Sequence, residues 1–135
     1  MSDVLFICVA NAGRSVMAER IFNEVSRGRH RARSAGSDPG EATHPVVVDA
    51  LAEIGIDATG HVPRKLEPRE AAGVDVVVST CGEEACPVTP PEVRRVYWNL
   101  PDPKHRPLDE VRAIRDEIRR RVLELVAELE AGRAP

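Results

Sequence analysis

"VLFICVANAGRSVMAERIF", residues 4–22, changes its periodicity once, and that change decides the fold. Val4 to Val9 is an unbroken apolar run with β-branched residues, the pattern of a strand buried on both faces. From Ser15 the pattern is helical: Met17, Ala18, Ile21, Phe22 and Val25 share one face, with Glu19 and Glu24 turned away. Ser15 itself falls at the N-cap or in the first turn. Between strand and helix stand Cys8, five small or polar residues, and Arg14. A loop of that length turns its backbone N–H groups inward, at the positive end of the helix dipole, and a tetrahedral oxyanion is its natural guest. The expected oxyanion contacts are Val9, Ala10, Asn11, Ala12, Gly13 and Arg14, the last with a planar fork matched to two oxygens. The same field favours the thiolate of Cys8, which makes it a nucleophile. Gly13 permits a close backbone approach or a positive φ; Asn11 tolerates left-handed geometry and can tie the loop to itself. Spacing alone leaves a buried structural cysteine with an incidental arginine equally open. The strand before and the helix after favour the anion site.

Working outward, "RARSAGS" (31–37) reads as a short strand ending in a turn, and "HPVVVDALAEIG" (44–55) as a helix with Pro45 at its start and Gly55 past its end. "VDVVVST" (74–80) is a second buried strand and "VRRVYWNL" (93–100) a third candidate. The segment 108–132 places Val111, Ile114, Ile118, Val122, Leu125 and Leu129 along one amphipathic helix. Strands alternating with helices imply an α/β, doubly wound three-layer fold with a four-stranded parallel sheet, whose site lies beyond the carboxyl ends of the strands. Cys8, Ser34, Cys81 and Asp102 all follow predicted strands and are expected at one rim.

The 135 residues suit a single domain, 1–135, and carry a net charge of −3. The densest cationic stretch, "SRGRHRAR" (26–33), reads as a solvated turn, so no nucleic-acid partner is expected. No apolar run approaches spanning length and no leader pattern is present, which predicts a cytoplasmic protein without a membrane partner. Three cysteines cannot all pair within one chain, and reduced thiols are the rule in that compartment; cysteine chemistry is the better expectation than a structural framework.

"CVANAGRSVMAE" (8–19), "SAG" (34–36), "EIGID" (53–57), "CGEEACP" (81–87) and "PDP" (101–103) occur in the order seen in the low-molecular-weight protein tyrosine phosphatase superfamily. The chain resembles its arsenate reductase branch over nearly its whole length. The resemblance implies a low-molecular-weight phosphatase-like fold, with Cys8 as nucleophile, Arg14 as oxyanion clamp, Ser15 bonded to the thiolate and Asn11 bracing the loop. It makes Asp102 the general acid, a role that suits a carboxyl on a Pro-stiffened loop at the rim, although "PDP" alone is more often a turn. It implies arsenate as substrate, no tightly bound cofactor, and an external thiol reductant. In that scheme Cys81 attacks the arsenic-bearing Cys8, Cys86 resolves the disulfide, and thioredoxin reduces the product. A disulfide holds Cα atoms within about 7 Å, whereas five helical residues separate them by roughly 8 Å. The Cys81–Cys86 segment is therefore expected to be a loop, or to unwind on oxidation.

Departures from the pattern open alternatives. Val16 stands where the family often has glutamine, and the two later cysteines are more closely spaced than in thioredoxin-coupled members. The sequence leans toward the subgroup coupled to mycothiol and mycoredoxin, in which Cys8 acts alone. Arg64 or Lys65 occupies the place of an acidic residue found in potassium-binding members, so no metal site is expected. His44, His61 and His105 read as surface or capping residues. Tyr97 and Trp98 are expected to end a strand and pack beside the site. Two rivals share these residues: a phosphotyrosine phosphatase, which has no use for Cys81 and Cys86, and a stoichiometric thiolate trap for arsenite, which has none for Asp102.

Overall fold

A computed structural model describes residues 2–81 and 93–132. Four strands, β1 (Asp3–Cys8), β2 (Arg31–Gly36), β3 (Val76–Ser79) and β4 (Arg94–Tyr97), form one parallel sheet in the order β2-β1-β3-β4. The helices are α1 (Arg14–Ser26), α2 (Pro45–Ala52), α3 (Pro68–Ala72) and α4 (Leu108–Ala131). This is the expected α/β doubly wound, three-layer arrangement.

Strand alternation sorts the core into two faces. Val4, Phe6, Val76 and Val78 join one cluster with α1, α2 and α4, while Leu5, Ile7 and Val77 pack with Ala71 and Val74 on the other. The topology explains why the second face needs a helix at all. The chain steps from β1 to β2 over α1, then returns across β1 to reach β3. A right-handed connection in that opposite direction requires a helix on the opposite face, which α3 supplies. The strand order therefore reverses between β1 and its two neighbours, and Cys8 ends β1 at that switch point.

Several boundaries move. β1 closes at Cys8, so Val9 belongs to the loop. α2 stops at Ala52 because Gly55, at φ 80°, turns the chain and lets the Ile56 N–H bond back to the Leu51 carbonyl at 3.0 Å. α3 has no counterpart in the periodicity reading, being only five residues long, although Glu67-Pro68-Arg69-Glu70 carries a capping box with proline in the first turn. The cationic turn is solvated at Arg27, Gly28 and Arg29, but His30 is buried, 2% exposed: its Nδ1 accepts the Ser2 N–H at 3.0 Å and its Nε2 faces Glu130 at 3.4 Å. Trp98 leaves the rim for the core, tilted against Phe6 at 5.5 Å, whereas Tyr97 stays half exposed beneath the Arg95 guanidinium. Among the described residues no helix is long and apolar enough to cross a membrane.

Candidate active site

The loop after β1 is shaped from outside. The segment 37–44 donates N–H groups to its carbonyls: Ser37 to Cys8, Asp38 to Val9, Gly40 to Ala10 and His44 to Ala12, at 2.9–3.2 Å. A trans peptide points its N–H opposite its carbonyl, and the described chain holds no cis bond, so the N–H groups of Val9, Ala10 and Gly13, which follow three of these carbonyls, turn away from the segment 37–44. Gly36, at the end of β2, makes the close fit possible. A Cβ there would strike the Val9 carbonyl oxygen and come 3.0 Å from the Asn11 nitrogen. Gly13 precedes α1 as its N-cap residue with φ −143°, so its use is close approach rather than positive φ. A cavity of about 570 Å³ results, lined at its base by Cys8, Val9, Ala10, Ala12, Gly13 and Arg14.

Asn11 departs from the other loop residues. It lies buried under the cavity at φ 52°, and its N–H serves the Cys8 sulfur at 3.1 Å rather than the cavity. Its side-chain oxygen is identified by two donors: the Arg64 backbone N–H and the His61 Nε2, each at 3.1 Å. The amide nitrogen then faces Ser15 Oγ and Ser34 Oγ, both at 2.9 Å. Ser34 spends its own proton on Glu19 Oε1 at 2.9 Å. Ser15 receives Asn11's N–H on its lone pair, which frees its proton for Cys8 Sγ at 2.8 Å. A directed chain of hydrogen bonds thus runs through Asn11 to the cysteine, and its last link has the Ser15 hydroxyl donating to the Cys8 sulfur.

His61 Nε2 also contacts the Asn11 carbonyl at 3.1 Å. Both neighbours are acceptors, so Nε2 carries the proton. Burial pushes His61 below the ordinary histidine value, partly offset by the Asn11 bond and by Glu19. His61, Ser34 and Glu19 therefore all serve the site, against the expectation that His61 is a surface residue and that Glu19 faces away. Glu19 sits on the polar edge of α1 yet is only 16% exposed. Arg64 lends the site its backbone, while its guanidinium forks onto Glu70 at 2.8 and 2.6 Å; Lys65 donates to the Ser37 carbonyl. Among the described residues no cluster of three or more His, Cys, Asp or Glu side chains is placed to hold a metal ion.

Arg14, 14% exposed, donates to the Leu100 carbonyl at 3.0 Å and approaches the Asp102 carboxylate at 4.0 Å. Asp102, 57% exposed, hangs over the same cavity, its Oδ1 held by the Lys104 N–H at 3.0 Å. His44, Asp38, Glu41 and Lys104 complete the mouth. Burial pushes His44 below its ordinary value, with Asp102 opposing the shift. Cys81 follows β3: Thr80 bonds to the Ile7 carbonyl beside Cys8, and half-buried Cys81, one residue on, bridges to Asn99. It does not line the cavity. Cys86 lies outside the described residues.

A strand-end thiol, an arginine guanidinium and a carboxyl that line one cavity at the switch point of a doubly wound sheet define an α/β protein with a cysteine-centred site. The chain belongs to the low molecular weight phosphotyrosine protein phosphatase family, whose sequence profile matches residues 3–134. Within that family it is 33% identical over 134 residues to a glutaredoxin arsenate reductase of Synechocystis, covering 96% of this chain and 99% of the relative. It is 30% identical over 118 residues to arsenate reductase 2 of Staphylococcus epidermidis, covering 86% of this chain and 89% of the relative. In three dimensions it is similar to a thioredoxin-dependent arsenate reductase of Corynebacterium glutamicum, with a TM-score of 0.83 at 29% identity over 98% of this chain and 64% of that longer one.

Proposed function

We propose that this protein reduces arsenate to arsenite. The observation that carries the reading is the directed bond from Ser15 to the Cys8 sulfur in a cavity that Asp102 also lines. The Cys8 thiolate attacks arsenic, forming an S–As bond as an As–O bond breaks; Asp102 gives its proton to the departing oxygen, which leaves as water. Arg14 and the loop N–H groups hold the remaining oxygens. A thiol then attacks the Cys8 sulfur. The new S–S bond leaves the S–As electron pair on arsenic, which departs as arsenite. In the favoured version that thiol is Cys81, Cys86 next attacks the Cys81 sulfur to free Cys8, and thioredoxin reduces the Cys81–Cys86 disulfide. The register that carries Cys81 just past the position beside Cys8 supports an internal relay.

The mouth favours this reading over a phosphotyrosine phosphatase. Its described lining holds Asp38, Glu41, His44, Asp102 and Lys104 but no Phe, Tyr or Trp, so an aryl group meets mostly charged side chains there rather than a large aromatic wall. The short spacing between Cys81 and Cys86 favours the second reading, in which mycothiol attacks the Cys8 adduct and neither later cysteine is needed. Arsenate-dependent NADPH consumption with purified thioredoxin or mycothiol–mycoredoxin systems separates them. The relay predicts turnover with thioredoxin that Cys8→Ser and Cys81→Ser both abolish. Full thioredoxin-coupled activity in the Cys81→Ser, Cys86→Ser double variant excludes it, and no arsenite production with either system overturns the reductase reading itself.

A further inference from the structure

The loop 101–106 that carries Asp102 is solvent-exposed at every residue except one. Pro103 is buried, and it is buried against the oxyanion cradle. A Cβ on Gly13 would lie 2.7 Å from Pro103 Cγ, 3.4 Å from its Cδ and 3.3 Å from His44 Cδ2, so the proline ring and the imidazole both close on the space that a side chain at position 13 would fill. His44 is itself fixed on both sides. Its N–H is bonded to the Ala12 carbonyl of the cradle at 2.9 Å, and its carbonyl accepts the Val47 and Val48 N–H groups as the N-cap residue of α2. The remaining bonds of the loop are internal or run to α4: Lys104 N–H to Asp102, Arg106 N–H to the Pro103 carbonyl, and Arg106 to both the Asp102 carbonyl and Glu110. Apart from the Arg14 contacts to Leu100 and Asp102, the Pro103 ring is what joins this loop to the cradle among the described contacts.

We propose that Gly13 and His44 form a seat for Pro103, which docks the loop over the cradle and makes His44 a positioning residue for the Asp102 carboxyl. This inference rests on the reading of Asp102 as the general acid. Asp102 precedes the docked ring by one residue, so its Cα is set by the seat, while among the described residues its side chain is held by the Lys104 N–H and approached by Arg14. The ring of His44 acts by its shape. Its pairing with Asp102 through charge is incidental, and a non-titrating ring of similar size does the same work.

The test is a double-mutant cycle on the first chemical step, read as single-turnover arsenite formation with a large excess of dithiol, with inorganic phosphate affinity measured alongside. Asp102→Asn alone is expected to slow the step by about 10²-fold or more, within the range of general-acid help. His44→Ala and Pro103→Ala are each expected to slow it about tenfold or more while phosphate affinity changes less than threefold. In the Asp102→Asn background both are expected to cost less than twofold, because they act through that carboxyl. His44→Phe is expected to stay within threefold of wild type. If Asp102→Asn proves harmless, the acid assignment falls and the seat with it. If Asp102→Asn is slow but the other effects persist undiminished beside it, the acid stands and the seat is overturned. A His44→Phe variant as slow as His44→Ala also overturns it, since the imidazole would then act by its chemistry.

Discussion

Asn11 shows how one side chain can set the state of another that it does not touch. Its carbonyl oxygen is claimed by Arg64 and His61, which leaves its amide protons for Ser15 and Ser34 and so aims the Ser15 hydroxyl at Cys8. Asn11→Asp keeps the shape and removes the donors. Ser15 then turns its proton toward the new carboxylate, and the Cys8 sulfur keeps only the backbone N–H of residue 11. Hydrogen bonds to charged groups are worth about 1.5–3 kcal/mol, so the loss corresponds to roughly ten- to hundredfold less thiolate reactivity. The expected outcome is a second-order rate of Cys8 alkylation by iodoacetamide at neutral pH lowered by that factor, and lowered similarly in Ser15→Ala. A rate profile unchanged in both variants would remove Ser15 as the donor.

Elements meet the site through backbone as much as through side chains, and this is where the sequence stops speaking. The β1–loop–α1 passage and α4 were legible because their apolar spacing is long and regular, and Cys8, Arg14 and Asn11 because their residue types suit one loop chemistry. The belt 37–44 left no such trace: it shapes the cradle with N–H groups that every non-proline residue carries, and only Gly36, which no Cβ could replace, hints at the close approach. His61 reaches Asn11 from fifty residues away by a fold-dependent path, and Trp98 and His30 are buried by packing that no local pattern announces. The dock between α2 and α4 is of the same kind. Arg115 lies almost wholly inside, donating to the Ala50 carbonyl in the last turn of α2 and to Glu53, which Arg112 also grips; together they hold the Glu53 carboxyl down to about 2. Arg115→Met keeps the packed volume and cuts these ties, leaving the Ala50 carbonyl unpaired. The expected cost is about 1–3 kcal/mol, seen as a lower urea midpoint at unchanged m, with Cys8 alkylation unaffected. A midpoint equal to wild type would reduce the cluster to a surface ornament.

At the scale of the whole molecule, the two histidines that flank the cradle tie stability to pH. Burial holds both His44 and His61 below the ordinary 6.5, the first beside Gly13, the second against Asn11. The unfolded chain therefore takes up their protons before the folded chain does, and stability rises with pH up to about 6.5 and is level above it. Below that value it falls, as acid draws the chain toward the form that can accept the protons. The lowered carboxyls of Glu53, Glu117, Glu70 and Asp57 have the same sign further down: their contribution is complete above the ordinary 4.5 or 3.8 and is lost as pH falls through their folded values. Two declines are thus expected on acidification, a histidine step beginning near pH 6.5 and a carboxylate step beginning below about 4.5. Thermal unfolding between pH 5 and 7.5 isolates the first. Wild type should melt lower at pH 5 than at pH 7.5, and this difference should shrink in His61→Gln and shrink further when His44→Phe is added. The carboxamide that replaces the His61 ring can still donate to the Asn11 carbonyl, and the phenyl ring that replaces the His44 imidazole can still fill the space beside Gly13. The double variant should therefore stay folded at neutral pH. A double variant with the full wild-type difference would move the acid sensitivity away from the cradle.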